Sequence, residues 1–215
     1  LRSMNKHKPS AIEMMFATHP MSDERYRDSQ KMVSKLSSEA GSLPLHSERY
    51  KDNTASLRTK APAIEKMQAG EQLMMTGKYT DAEVQFKEAL RLTPGDYAGL
   101  LMMAKCQIAL KDYSLARRYA EDATEVNPGE PQALHVLGMS ELLLKRYESA
   151  HERFLGYEKK LPGNPNTVFY IGLSAEGMEK REEAANRYNS YLKAVNKGEK
   201  AKYAYGKLRE WGYVK

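Results

Sequence analysis

The stretch TGKYTDAEVQFKEALRLTPG, residues Thr76–Gly95, combines a tight turn, a helical segment and a terminating proline. Tyr79 follows the turn TGKY and opens the helical segment. Pro94 ends it, because the residue before a proline is disfavoured in helical geometry. The stretch therefore predicts a turn followed by one complete helix.

The same landmarks return at a constant spacing in both directions from this stretch. Pro94, Pro128 and Pro162 are equally spaced along the chain, and Asn196 continues the series. No insertion breaks the count across residues 63–196. Small and aromatic residues keep the same register: Gly70, Ala104, Gly138, Gly172 and Gly206; Ala82, Ala116, Ala150 and Ala184; Tyr79, Tyr113 and Tyr147; Phe86, Phe154 and Tyr188. A fixed period of this length is the signature of a repeat architecture.

The period and these positions resemble the tetratricopeptide repeat (TPR), a helix–turn–helix unit of about 34 residues. The resemblance implies an all-α fold, a TPR solenoid wound as a right-handed superhelix. Four repeats are predicted, at 63–96, 97–130, 131–164 and 165–198. Within each, we expect the small residue at position 8 to face the alanine at position 20, so that the two helices approach closely. A glycine inside a helix costs about 1 kcal/mol relative to alanine, so its recurrence indicates a packing reason.

The two ends of the chain depart from the period. Residues 199–215 begin a fifth first helix, with Ala201, Ala204, Tyr205, Leu208 and Trp211 on one side, which predicts a capping helix. An amphipathic helix that binds membranes has a similar pattern. Residues 1–62 are predicted as a helical N-terminal extension, the remnant of an upstream domain plus a linker. Its helices are expected from Ser22 to about Leu36 and from Ser47 to Arg58, before a break at Ala61–Pro62.

Composition and charge restrict the functional classes. The ends are basic, with 11 Lys+Arg against 7 Asp+Glu in residues 1–62 and 6 against 2 in residues 197–215, while residues 63–196 carry 17 against 19. Basic ends on a neutral body argue against a nucleic-acid partner. The single cysteine, Cys106, excludes an internal disulfide. No segment is typical of a signal peptide or a transmembrane helix, so membrane contact is expected only indirectly. The start at Leu1 indicates part of a longer protein.

The TPR resemblance implies a partner-binding groove on the concave surface, lined mainly by first helices. The predicted groove residues are Met67, Glu71, Met74, Leu101, Lys105, Ile108, His135, Met139, Leu142, Phe169 and Leu173. An apolar groove suits a hydrophobic segment, a helix or another domain of the same protein. The alternative interpretation is that these side chains form the core. TPR modules that hold a terminal carboxylate use cations and asparagines at set positions, and only Lys105 and Asn166 match among the four repeats, which argues against that class.

A second motif lies near the N-terminus. Thr18-His19-Pro20, with Arg25 five residues after the proline, resembles the closing segment of the catalytic domain in BepA-like bacterial zinc metallopeptidases, relatives of the CAAX prenyl protease. In that family TPR repeats follow this segment, and the same order occurs here. The resemblance makes His19 a candidate for a fourth zinc contact or a gating latch in the parent enzyme. Alternatively, His19 is a surface histidine in a proline-fixed turn, and Arg25 is an exposed ion-pair residue.

The chain lacks the catalytic signature of that family. Zinc metallopeptidases of this kind bind the metal through HExxH and a downstream glutamate. No two of the histidines His7, His19, His46, His135 and His151 are four residues apart. This chain alone is therefore predicted to have no catalytic residues, no metal site and no cofactor, and zinc would belong to the parent enzyme.

The sequence therefore predicts a module for protein–protein interaction or substrate presentation. The metallopeptidase resemblance implies envelope protein quality control in the periplasm, with a protein or peptide as partner, including the module's own upstream catalytic domain. A free-standing TPR adaptor that binds an apolar peptide or helix is the alternative. A latent enzyme that binds zinc through His19, His46 and acidic neighbours is a third.

Overall fold

The computed structural model describes residues 26–34 and 47–214, and no strand occurs among them. The chain divides into two compact units, Leu1–Ala55 and Ser56–Lys215. Residues 26–34 form helix α1. The other described helices are α2 (Ser47–Met75), α3 (Tyr79–Leu92), α4 (Tyr97–Ala109), α5 (Tyr113–Val126), α6 (Gln132–Leu143), α7 (Tyr147–Lys160), α8 (Pro165–Gly177), α9 (Arg181–Ala194) and α10 (Glu199–Glu210). None of the described helices is long and apolar enough to cross a bilayer.

The turn inside each helix pair has one geometry, repeated four times. A backbone N–H donates to the carbonyl five residues earlier: Lys78 to Leu73, Asp112 to Gln107, Arg146 to Glu141 and Lys180 to Ala175, at 2.9–3.0 Å. This bond closes a helix end in which one residue adopts positive φ. Those residues are Gly77, Lys111, Lys145 and Glu179, with φ of 74°, 66°, 60° and 61°. Three turns therefore place a residue with a side chain where glycine is preferred.

The second helices end where the proline period predicts. Helices α3, α5 and α7 stop two residues before Pro94, Pro128 and Pro162. The residues that precede these prolines, Thr93, Asn127 and Leu161, have φ of −137°, −137° and −136°. Extended backbone is required there by the proline ring. The predicted termination is confirmed.

The predicted helix break at Ala61–Pro62 is wrong. Helix α2 runs without interruption from Ser47 to Met75, with Pro62 inside it. An interior proline removes one helical hydrogen bond and costs about 3 kcal/mol. Pro62 is exposed, and solvent can satisfy a carbonyl that the missing N–H leaves without a partner. The first helix of the first predicted repeat is thus longer than the repeat allows.

The recurrent glycines pack against aromatic rings. A methyl group on Gly138 would lie 3.0 Å from the Phe154 ring, and one on Gly172 would lie 2.9 Å from the Tyr188 ring. Gly70 and Phe86 form the same pair in the first repeat. The sequence led us to expect the alanine at position 20 opposite each glycine, but the ring at position 24 is the nearest neighbour. The glycine leaves room for a ring, and the ring fills the space between the two helices.

The second repeat uses small residues at both positions. Ala104 stands at the glycine position and Ala120 at the ring position, and both are fully buried in one core cluster with Leu100, Leu101 and Leu137. The small residue at Ala120 is thus paired with alanine in place of glycine, and leucine side chains complete this part of the core.

Polar contacts connect consecutive repeats. The Gln107 amide donates to Glu83 Oε1 at 2.8 Å, and the Arg187 guanidinium donates to both oxygens of Glu158 at 2.9 and 3.0 Å. His151 Nε2 lies 2.9 Å from Glu183 Oε1. These pairs lie on different repeats, so they fix how one helix pair stacks on the next.

Helix α10 covers the end of the repeat array, as predicted. Ala201, Ala204 and Leu208 are buried in the same cluster as Phe169 and Tyr188. Tyr205, which was expected on the packed side, is 48% exposed. It is adjacent in the chain to Gly206, beside which there is open space.

Candidate protein-binding surface

The predicted groove residues differ widely in exposure. Glu71 and Lys105 are exposed, whereas Leu101 and Phe169 are buried. The others are half-buried: Met67, Met74, Ile108, His135, Met139, Leu142 and Leu173. None of these apolar side chains is strongly exposed. The predicted surface is therefore less apolar than the sequence suggested.

The half-buried apolar members also stabilise the core. Met74 and Ile108 pack against buried clusters at the start of the array, Met139 and Leu142 against the Phe154 cluster, and Leu173 against the last cluster. Each contributes one side to a core and the other to the surface. Both interpretations of the pattern, groove and core, thus apply to the same residues.

An aromatic cluster surrounds His135. Its ring centroid lies 5.6 Å from that of Phe154, 5.2 Å from Tyr157 and 5.8 Å from Tyr170, all edge-on. Phe154 and Tyr170 are stacked at 5.4 Å. Edge-on and offset rings are favourable arrangements because the edge of one ring meets the electron-rich face of another. These rings join the third repeat to the fourth.

Two lysines flank this cluster. Lys200 Nζ lies 4.5 Å from the centroid of the Tyr170 ring and donates to Asn166 Oδ1 at 2.7 Å. Burial, followed by the positive charges of Lys200 and Lys105, lowers the pKa of His135. Both ammonium groups therefore act on the same imidazole, one from α4 and one from α10. We call Lys105, His135, Asn166, Tyr170 and Lys200 the basic–aromatic surface.

An open depression of about 520 Å³ adjoins this surface between α8 and α10. It is lined by Phe169, Leu173, Glu199, Lys200, Lys202 and Tyr203, and most of its lining is apolar. Lys200 belongs to both features. A bulky apolar side chain of a partner fits such a depression, with polar groups at its rim.

Glu176 holds α10 in place beside the depression. Its carboxylate accepts hydrogen bonds from Tyr188 Oη at 2.6 Å and Tyr203 Oη at 3.0 Å, and Lys207 Nζ lies 3.1 Å away. Burial, together with the Glu176 charge, raises the pKa of Tyr203 to about 12. Burial and the Glu176 hydrogen bond also raise the pKa of Tyr188. Both hydroxyls thus remain protonated donors at neutral pH.

Sequence reasoning did not include Tyr170, Lys200 or Tyr203 in the site. Lys200 stands at position 2 of the incomplete fifth unit, so continuing the repeat count beyond residue 198 would have found it. Tyr170 is adjacent to the predicted Phe169 but lies closer to the surface. No sequence signal indicates that Lys200 and Lys105 act on one histidine.

The structure places no metal site within residues 26–34 and 47–214, where no group of three His, Cys, Asp or Glu side chains could hold an ion. The only cysteine of the chain, Cys106, is buried, and burial raises the pKa of its thiol to about 11. Its thiol is thus neutral at pH 7 and a poor nucleophile. His19 and Arg25 lie outside the described residues.

Similarity to known proteins agrees with the helix geometry. The sequence profile of the tetratricopeptide repeat matches residues 73–139. The chain folds as a TPR solenoid. No curated protein matches its sequence.

Solved TPR structures share this fold at low sequence identity. MamA (residues 41 to the end) from Desulfovibrio magneticus RS-1 superposes with a TM-score of 0.61 at 17% identity, over 69% of this chain and 92% of that one. TTC0263 from Thermus thermophilus gives 0.60 at 20% identity, over 70% and 83%. The first TPR of Spaghetti (RPAP3), bound to the HSP90 peptide SRMEEVD, gives 0.55 at 17% identity, over 56% and 95%.

Proposed function

We propose that the TPR solenoid binds a protein or peptide segment on its basic–aromatic surface and in the adjoining depression. The observation that carries this proposal is the juxtaposition of an open, mostly apolar depression with Lys200, which is itself stacked on an aromatic ring. The peptide bound to the TPR of RPAP3 supports this type of partner. Affinity would come from burial of apolar area, at about 25 cal/mol per Å² before the costs of association.

Site-specific photo-crosslinking tests this function. A benzoylphenylalanine replaces Tyr203, at the depression, or Tyr79, a similarly exposed tyrosine on α3. The protein is expressed in its native host and irradiated. We expect a discrete crosslinked product from position 203 and none of the same mass from position 79. Equal crosslinking at both positions, or none at 203, would contradict the proposal.

We further propose that the chain is the C-terminal module of a zinc-dependent metallopeptidase that acts in envelope protein quality control. The order of Thr18-His19-Pro20, Arg25 and a TPR array supports this context. The module would present substrates to the catalytic domain or anchor it to an assembly. Zinc would bind in the upstream domain, which would supply HExxH and the third ligand.

The free-standing adaptor is the second candidate, because the same fold covers 92% of the superposed MamA chain and 83% of the TTC0263 chain. The gene distinguishes the two. Codons for HExxH upstream of Leu1 are expected for the metallopeptidase, and their absence would leave the adaptor. Zinc analysis of the purified chain tests the latent-enzyme alternative, and we expect no stoichiometric zinc.

A further inference from the structure

The basic–aromatic surface carries two cations that lack a carboxylate partner among the described residues. Two acidic groups of α8 and α10 are engaged with other residues: Glu176 with Tyr188, Tyr203 and Lys207, and Glu199 with Lys202 at 3.1 Å. Lys200 instead bonds to the neutral Asn166. Lys105 is exposed and forms no ion pair within the described ranges.

The two lysines lie on one continuous surface. Lys200 is 4.5 Å from the Tyr170 ring, and Tyr170 is 5.8 Å from His135. Lys105 is exposed and stands at the same repeat position as Met139 and Leu173, and Leu173 lines the depression. The half-buried rings of Tyr170 and His135 form an apolar flank beside Lys200. Charge interactions are stronger beside such a low-dielectric surface than in bulk water. An acidic partner gains a favourable charge interaction from this arrangement.

The adjoining depression adds an apolar requirement. Phe169, Leu173 and Tyr203 supply its apolar lining, and Lys200 belongs both to this lining and to the basic–aromatic surface. A partner residue seated in the depression would therefore bring its chain neighbours close to the Lys200 ammonium.

We propose that the partner is an internal acidic peptide segment in which carboxylate side chains flank one bulky apolar residue. The apolar side chain enters the depression, and the carboxylates contact Lys200 and Lys105. This inference rests on the proposed function. Internal carboxylates fit better than a single chain terminus because the two cations lie on helices of different repeats, α4 and α10.

Selection from a random peptide library displayed on phage tests the chemistry of the partner. In such a library the peptide is joined to the coat protein at its C-terminus, so a terminal carboxylate is not available. We expect enriched peptides to contain two or more Asp or Glu around a Phe, Leu, Met or Trp. Enrichment of neutral or basic apolar peptides would preserve the binding function and overturn this inference. If no peptide is enriched, both this inference and the proposed binding function are contradicted.

Matched variants locate the site. A synthetic enriched peptide, amidated at its C-terminus, is titrated against the wild type and against Lys105→Gln, Lys200→Gln and Lys193→Gln. Lys193 is an exposed lysine on α9 and serves as the charge control. We expect about a tenfold loss of affinity for each of the first two variants and none for the third. An equal loss in all three would indicate non-specific attraction and contradict the proposal.

The histidine supplies an independent measurement. Carboxylates near an imidazole favour its protonated form. We therefore expect the His135 pKa, followed by NMR of its ring protons, to rise when the amidated peptide is bound. An Asn/Gln version of the same peptide should leave it unchanged. A His135 pKa that does not respond to the acidic peptide would place the binding site elsewhere and overturn the inference.

Discussion

The second and third repeats fill the same space between paired helices in two ways. In the third repeat, Gly138 makes room for Phe154, whereas in the second, Ala104 meets the small Ala120. The first and fourth repeats follow the third, with Gly70–Phe86 and Gly172–Tyr188. The residues at positions 8 and 24 therefore vary together: a ring occurs with glycine, and a small residue occurs with alanine. In the second repeat, Leu100, Leu101 and Leu137 pack in the same cluster as the two alanines.

The glycine–ring pairs and the alanine pair differ in the aromatic contacts that they make. The rings Phe154 and Tyr188 contact other aromatic residues, which extend the cluster through His135, Phe169 and Tyr203 towards α10. The alanine pair makes no such contacts. The glycine–ring repeats therefore build most of the candidate binding surface, and the second repeat contributes Lys105.

Removal of a ring is expected to have the largest effect. Phe154→Ala opens a cavity over Gly138 and should destabilise the protein by about 3–5 kcal/mol. Ala120→Gly, at the same position of the second repeat, should cost only about 1 kcal/mol. Urea unfolding followed by circular dichroism measures both. The double variant Gly138→Ala/Phe154→Ala, which copies the second repeat, should recover about 1 kcal/mol. Similar losses for the two single variants would refute the paired-position interpretation.

Addition of one methyl group at position 8 should destabilise the protein at Gly172 and stabilise it at Gly206. Gly172→Ala brings its new Cβ 2.9 Å from the Tyr188 ring and 3.1 Å from Arg187 Cβ. We expect it to destabilise the protein by about 1–3 kcal/mol. Gly206→Ala, at the equivalent position of α10, meets open space and should stabilise it by up to about 1 kcal/mol. Thermal unfolding measures the difference, and the same sign for both would contradict the packing argument.

The link between the ring-rich end and α10 should weaken in alkali. The pKa of Tyr203 is raised from 10.0 to about 12 in the folded protein. A raised folded-state pKa contributes stability that is complete below pH 10 and is lost between pH 10 and pH 12. We expect unfolding free energies to fall across that range.

The variant Tyr203→Phe tests whether ionisation of Tyr203 causes this loss of stability in alkali. The variant should be less sensitive to pH above 10, with the remaining slope due in part to Tyr188, whose pKa is also raised. An unchanged alkaline slope would show that the Glu176 contacts do not control this end of the array.

Substitutions in the turns should have the smallest effect on stability. Lys145 has φ of 60° where the first repeat has Gly77. A left-handed conformation costs a non-glycine residue about 1–2 kcal/mol, and glycine loses part of this advantage through its backbone entropy. Lys145→Gly should therefore stabilise the third repeat by up to about 1 kcal/mol, as measured by urea unfolding. Gly77→Ala should have the reverse effect, and a destabilising Lys145→Gly would contradict this account.

Much of the fold could be predicted because its determinants are local and periodic. Three prolines fix the ends of second helices, and the recurrence of small residues fixes the pairing, so helix order follows from spacing alone. Pro62 was misinterpreted, since a single exposed proline does not always end a helix. The site was harder to predict. Leu101 and Phe169 are apolar residues at predicted groove positions, as Met139 and Leu173 are. Only the coordinates show that the first two are buried and the last two half-buried.

The sequence by itself determined an all-helical array with a constant repeat register, the ends of its second helices and its covering helix α10. These features depend on contacts between neighbours in the chain and on a repeated packing volume. That the recurrent glycines face aromatic rings was decided by the tertiary structure. Only the tertiary structure decided that Lys105 and Lys200, which are distant in the chain, act on one histidine. It also decided that Glu176 joins Tyr188, Tyr203 and Lys207. The physical reason is that such contacts depend on how successive helix pairs stack, which no local pattern encodes.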